Sequence, residues 1–269
     1  MSNFNLMILA STPADAIAAQ QAGVDRIFYD LEYIGKSERQ RGRDTVKYHN
    51  SIDDIPAVRR VVTTSQLLVR TNPIHAYTDV EVESAIRYGA DILMLPMAMD
   101  KTDVQTFVDL IKGRAKVCIM VETAAAMTHI DDFISIPGVD EIFIGLNDLH
   151  ISLGLNFMFE PLSGGLVEYM ADKCNRAGMP FGFGGMARIG DGMLPADMIL
   201  GEHVRLNSHS VILSRTFKGG DSPMAIDFKA EVGKIRNRYN ELQQWSQECL
   251  LDNANQIKSI VDKIVYKEK

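Results

Sequence analysis

Residues 116–148, KVCIMVETAAAMTHIDDFISIPGVDEIFIGLND, decide how this chain folds. The segment opens on a run of Val, Cys, Ile and Met that reads as a strand covered on both faces, and the run ends on an acid, Glu122. A helical stretch follows. A second β-rich run, EIFIG, then leads to another acid, Asp148. Strand, crossover and strand in that order make a parallel pair, so both carboxylates emerge at the same edge of a sheet.

The same alternation repeats outward from this unit in both directions. Strand candidates are residues 6–11, 26–32, 66–72, 92–96, 116–122, 141–146, 180–185 and 203–208. Helical patterns fill the gaps. Thr12-Pro13 opens the first with a threonine N-cap and a proline in the first turn. Gly23, Gly89 and Gly178 each close a helical stretch just before a strand, as left-handed C-caps do. Eight such units predict an α/β fold, a closed (β/α)8 TIM barrel over residues 1–220, with an additional C-terminal helical segment over 221–269. An open dinucleotide-binding sheet would want GxGxxG after its first strand, where this chain has STPADA. The glycine-rich FGFGGMARIG, residues 181–190, reads as strand seven plus a tight turn at the barrel mouth; a phosphate seat is the other reading.

Composition removes several function classes. Among 269 residues, 28 Lys and Arg face 35 Asp and Glu, a net charge of −7 that argues against nucleic acid or an anionic membrane as partner. The longest apolar run, Ile92 to Met99, falls far short of the roughly 18 residues that span a bilayer. The opening MSNFNLMILAS lacks a basic leader, and Cys118, Cys174 and Cys249 form no CxxC or Cys/His cluster. A cytoplasmic protein without disulfides or structural zinc is the expectation.

Two segments exceed a minimal barrel. Residues 33–53, YIGKSERQRGRDTVKYHNSID, make a long charged excursion after strand two that reads as an active-site loop. Near the C-terminus Val232, Ile235, Tyr239, Leu242, Trp245 and Cys249 recur every three or four residues, and Ile257, Val261 and Ile264 continue the stripe. The pattern predicts one long amphipathic helix or a pair broken near Asp252-Asn253. It is longer than one strand needs, so part of its apolar face is expected on a neighbouring subunit of a homo-oligomer; the alternative folds it over its own barrel.

Barrel chemistry sits at the C-terminal ends of the strands. Those positions carry Glu32, Arg70, Glu122, Asp148 and Ser208. Charges ending apolar strands are costly unless paired or bound to something. Glu122 and Asp148 come from adjacent strands, and two hard oxygen ligands suit Mg2+ or Mn2+. Without a cation they would repel and one would take up a proton. The Arg70 guanidinium suits a carboxylate or a developing enolate oxygen.

Residues 121–154, VETAAAMTHIDDFISIPGVDEIFIGLNDLHISLG, are similar to the signature of the HpcH/HpaI aldolase family. These are class II 2-oxo-acid aldolases related to the citrate lyase β chain, within the phosphoenolpyruvate/pyruvate barrel superfamily. AGVDRIFYDLE (22–32), LLVRTNP (67–73) and YGADILMLPMA (88–98) match in order, and the resemblance extends over about residues 7–216. It implies that Glu122 and Asp148 bind the metal, that Arg70 polarises the pyruvyl oxygen, and that backbone amides around Asn147 and Asp148 hold the pyruvate carboxylate. The implied partners are a small 2-oxo acid and an aldehyde.

The departures concern proton transfer. Members usually carry a histidine base where this chain has Tyr33, and its aspartate partner where this chain has Arg87. The glutamine two residues before the metal glutamate is Met120, and the proline after the strand-six glycine is Leu146. Candidates for the missing base are His49, otherwise a solvated loop residue, and Tyr33. Glu32 either orients metal-bound water or pairs with Arg70 or Lys36. The run Lys36, Arg39, Arg41 and Arg43 is a solvated face or a grip for a substrate phosphate or carboxylate. The expected reaction is metal-dependent cleavage or formation of a C–C bond beside a 2-oxo acid. The alternatives are a lyase acting on an acyl-CoA or phosphoenolpyruvate-type substrate, towards which the DLE and RxN motifs lean, and a metal- and oxo-acid-binding homologue without catalysis.

Overall fold

A computed structural model describes residues 4–35, 50–214, 217 and 227–266. Eight strands close into a parallel barrel in sequence order. They are β1 (Asn5–Leu9), β2 (Arg26–Asp30), β3 (Gln66–Arg70), β4 (Ile92–Leu95), β5 (Lys116–Val121), β6 (Glu141–Ile144), β7 (Phe181–Met186) and β8 (Ser210–Leu213). The expected TIM barrel is what forms.

Strand alternation sorts the apolar residues into two compartments. On β2, Phe28 points into the lumen, while Ile27 and Tyr29 pack outward against the helices. The lumen is filled by Met7, Phe28, Leu68, Ile92, Met94, Cys118, Met120 and Phe143. Its floor is closed by an ion pair across the barrel: Arg26 at the start of β2 reaches both carboxylate oxygens of Glu141 at the start of β6, at 2.8 and 2.9 Å. A charge pair blocks one end of the lumen, so a ligand can enter only from the other.

Gly23, Gly89 and Gly178 have φ of +89°, +92° and +66°, the conformation expected of their position after helices. The eighth strand lies elsewhere than the sequence suggested. His203 belongs to the helix Ala196–Arg205, and the strand starts at Ser210. The helix ends in a Schellman motif: Asn207 has φ +58°, its N–H donates to Val204 O at 3.1 Å, and the Ser208 N–H donates to His203 O at 2.8 Å. Asparagine is the usual substitute for glycine at such a stop. The run HVRLNS was therefore a helix end resembling a strand.

The C-terminal stripe also resolves differently. Two helices form, Phe228–Leu242 and Gln247–Tyr266, and the break falls ahead of Asp252-Asn253. Asn253 lies inside the second helix and is buried, and its Nδ2 donates to Met198 O at 3.0 Å. A methyl on Gly201 would lie 2.8 Å from that Nδ2, so a glycine makes the contact possible. Val232, Ile235, Leu242, Leu250, Ile257 and Val261 are buried within the chain itself. Most of the apolar face is thus covered by its own barrel, while Trp245 and Ile264 are half-buried and Cys249 is exposed. Among the described residues no helix is long and apolar enough to cross a membrane.

Candidate active site

The centre of the site is Arg70, the last residue of β3, whose register partner on β2 is Asp30. Both are buried. Arg70 Nε donates to Asp30 Oδ1 and Nη2 to Asp30 Oδ2, each at 2.8 Å, the two-pronged geometry in which arginine binds carboxylates best. Glu32 Oε2 lies 3.2 Å from the same Nη2. The Phe28 ring sits 5.2 Å below the guanidinium carbon. Burial alone would favour a neutral guanidine, but Asp30, Glu32 and Glu122 outweigh it and hold Arg70 charged, its pKa well above the ordinary value. Nη1 is left on the lumen side, 3.6 Å from Met120 Sδ.

Glu122 follows β5 and is held from two directions. Its Oε1 accepts the Met97 N–H at 2.9 Å. Met97 adopts φ +53°, a conformation few non-glycine residues enter. On the opposite side Gly145 leaves no room: a Cβ there would stand 2.9 Å from Glu122 Cβ and 3.0 Å from Oε2. Burial, followed by the nearby charges of Glu32 and Asp148, pushes the Glu122 carboxyl up to about 8, against the opposing pull of Arg70 and the Met97 N–H. Gly145 caps the helix Leu146–Ser152, which carries Asn147 and Asp148 in its first turn.

Arg70, Glu122, Asn147 and Asp148 all line one cavity of about 200 Å³. These four predicted site residues are brought together. Glu32 takes the pairing role, on Arg70, and does not line the cavity. Tyr33 exposes its side chain and contributes its backbone N–H to Asn72 Oδ1 at 3.0 Å. His49 and the cationic run Lys36, Arg39, Arg41 and Arg43 lie outside the described residues. Ser208 is a correction: it precedes β8, at the barrel end away from the cavity, and its hydroxyl meets His203 Nδ1 at 2.9 Å. It cannot contact a substrate bound near Arg70.

Asp30, Met97 and Gly145 were missed as site residues. Asp30 carried a signal, since it closes the apolar run RIFYD beside a neighbouring strand that ends in arginine. The exit of β2 is tied down as well. Asn72 Oδ1 accepts from the N–H groups of Tyr33 and Ile34, and its own Nδ2 donates to Glu81 at 2.7 Å. Asn50, where the described chain resumes, donates to Asp30 O at 2.9 Å. Both described ends of the excursion are therefore anchored beside the residue that orients Arg70.

The profile of the HpcH/HpaI aldolase/citrate lyase family matches residues 4–159 of the chain. The chain belongs to this family. The family comprises aldolases and citrate lyases, so the chain belongs among enzymes of carbon–carbon bond chemistry. Among solved structures, an HpcH/HpaI aldolase/citrate lyase family protein from Burkholderia cenocepacia J2315 is similar at 17% identity and a TM-score of 0.63, covering 90% of this chain and 96% of that one. An HpcH/HpaI aldolase from Desulfitobacterium hafniense DCB-2 is similar at 15% identity and TM-score 0.62, over 81% and 90% of the two chains. The citrate synthase SbnG is similar at 16% and 0.62, over 89% and 96%. At such identities these three likenesses speak for the fold alone. No curated protein is significantly similar in sequence.

Proposed function

We propose that this family member is a metal-dependent class II aldolase acting on the C–C bond beside a 2-oxo acid, with pyruvate as the fragment released or consumed. The observation that carries this reading is the single small cavity shared by a fixed guanidinium, Arg70, and two carboxylates, Glu122 and Asp148. A divalent cation, Mg2+ or Mn2+, held by those carboxylates would supply Lewis acidity to the carboxylate and keto oxygens of the acid. The donor set fits such an ion. Burial and neighbouring negative charge make an ionised Glu122 costly, and a cation beside it offsets that cost. Among the described residues no three His, Cys, Asp or Glu side chains converge to hold an ion unaided, so substrate and water oxygens would complete the coordination.

The chain's own groups supply the rest. Arg70, locked by Asp30, offers Nη1 to the oxygen that becomes negative in the enolate. Backbone amides around Asn147 and Asp148, in the first turn of the helix Leu146–Ser152, suit the substrate carboxylate. Phe28, Met120 and Phe143 form an apolar floor that excludes water beneath the reacting carbon. In cleavage, the hydroxyl proton passes to a base, the electrons of the breaking bond enter the enolate, and the aldehyde leaves. The same base then returns a proton to the enolate carbon to give pyruvate. His49 is proposed as the base.

Exchange of solvent deuterium into the pyruvate methyl group, with Mg2+ or Mn2+ present, tests the reading without knowledge of the aldehyde. The wild-type protein should exchange. Glu122→Gln should lose exchange and calorimetric Mn2+ binding together, and His49→Ala should lose exchange alone. A Glu122→Gln protein with full metal-stimulated exchange would refute the metal assignment.

A further inference from the structure

The cavity is divided by strand. Among the described residues, its charged or polar side chains come from one arc of the barrel: Arg70 at the end of β3, Glu122 after β5, and Asn147 and Asp148 after β6. The opposite arc, β7, β8 and β1, contributes Gly184, Gly185, Ile212 and Leu9, and none of these carries a polar side chain. Met158 adds a further apolar group. At Gly185 an added Cβ would stand in ordinary contact with Ser214 Cβ at 3.9 Å and Ile212 O at 4.0 Å, so the missing side chain sets the cavity wall back by the depth of a methyl.

We propose that this arc is a subsite for an alkyl or aryl substituent, so that the substrate is a 2-oxo acid whose chain beyond its oxygen-bearing carbons is apolar. The inference rests on the aldolase reading, because the polar arc must receive the oxygen-rich end for the remainder to face β7, β8 and β1. A carboxylate or a string of hydroxyls placed there would lose water and find no side-chain partner among the lining residues. An alkyl chain loses nothing of that kind and gains from burial. A cavity of about 200 Å³ also limits the substituent to a short one.

The test is calorimetric titration of the full chain, with Mn2+ present, using four probes: oxalate, pyruvate, 2-oxohexanoate and 2-oxoadipate. Oxalate and pyruvate have no tail and report the polar arc alone. 2-Oxohexanoate and 2-oxoadipate reach similarly far and differ in whether the tail ends in methyl or carboxylate. We expect 2-oxohexanoate to bind at least tenfold tighter than 2-oxoadipate. It should also bind tighter than pyruvate by up to about fourfold for each methylene buried. If oxalate binds and 2-oxoadipate equals or exceeds 2-oxohexanoate, the subsite is refuted while the aldolase reading stands. If oxalate fails to bind, the aldolase reading falls and the subsite with it.

Discussion

Replacing Asp30 with asparagine tests the orientation of Arg70 most directly. The carboxylate makes two 2.8 Å hydrogen bonds to the guanidinium, and both side chains are buried. Removing one member of a buried ion pair costs about 3–5 kcal/mol when the remaining charge has no other partner. Here Glu32 stays 3.2 Å from Nη2, and asparagine keeps one acceptor oxygen, so the expected loss is smaller, about 2–3 kcal/mol. For a chain of this size that corresponds to a fall in Tm of roughly 4–6 °C. Glu32→Gln, which removes only the longer contact, should cost about 1 kcal/mol. Urea unfolding of the two variants gives the comparison, and oxalate titration of each shows whether a loosened Arg70 still receives an anion. If Asp30→Asn unfolds within 1 °C of the parent, or costs no more than Glu32→Gln, Asp30 does not hold Arg70 and the reasoning fails.

Other positions give independent checks. Gly145→Ala would drive a methyl to 2.9 Å from Glu122 Cβ, so Mn2+ affinity should fall at least tenfold for a loss of about 1–3 kcal/mol in stability; unchanged affinity would exclude Glu122 as a ligand. Arg26→Met leaves the Glu141 charge unpaired at the closed end of the lumen and should cost about 3–5 kcal/mol, most of it recovered by adding Glu141→Leu; a double variant as unstable as the single would refute the ion-pair account. His203 is buried against Phe183, ring centres 3.8 Å apart, and desolvation lowers its pKa to about 3. The unfolded chain binds that proton near pH 6.5 and the folded chain refuses it, so this contribution to stability is full above pH 6.5 and declines as pH falls towards 3. The slope is about 1.4 kcal/mol per pH unit, and His203→Phe should remove it; unfolding curves at pH 7 and pH 5 would show whether the variant loses less than the parent.

Much of the fold was legible in the chain because strands and caps are written in short-range pattern. Apolar runs closed by a charge marked β2, β3 and β5, and glycines at 23, 89 and 178 marked where helices stop. The pattern failed where two local signals competed. At HVRLNS the β-like Val and Leu hid a helix end that Asn207, in the left-handed conformation, completes. The placement of Ser208 failed with it.

Arg70, Glu122, Asn147 and Asp148 were readable as site residues from their own positions, because each follows an apolar strand that would not otherwise tolerate it. What they do to one another was not. Asp30 and Arg70 are forty residues apart and meet only through the β2–β3 register. Met97 serves Glu122 through its backbone N–H, which leaves no trace in residue type, and Gly145 through missing volume, whose beneficiary the sequence does not name. Likewise the C-terminal stripe announced an apolar face but not the surface that covers it. Local pattern depends on neighbours within a few residues, and closing the barrel brings strand ends together that are dozens of residues apart. Which charges pair, and which arc of the mouth stays apolar, was settled only by that closure.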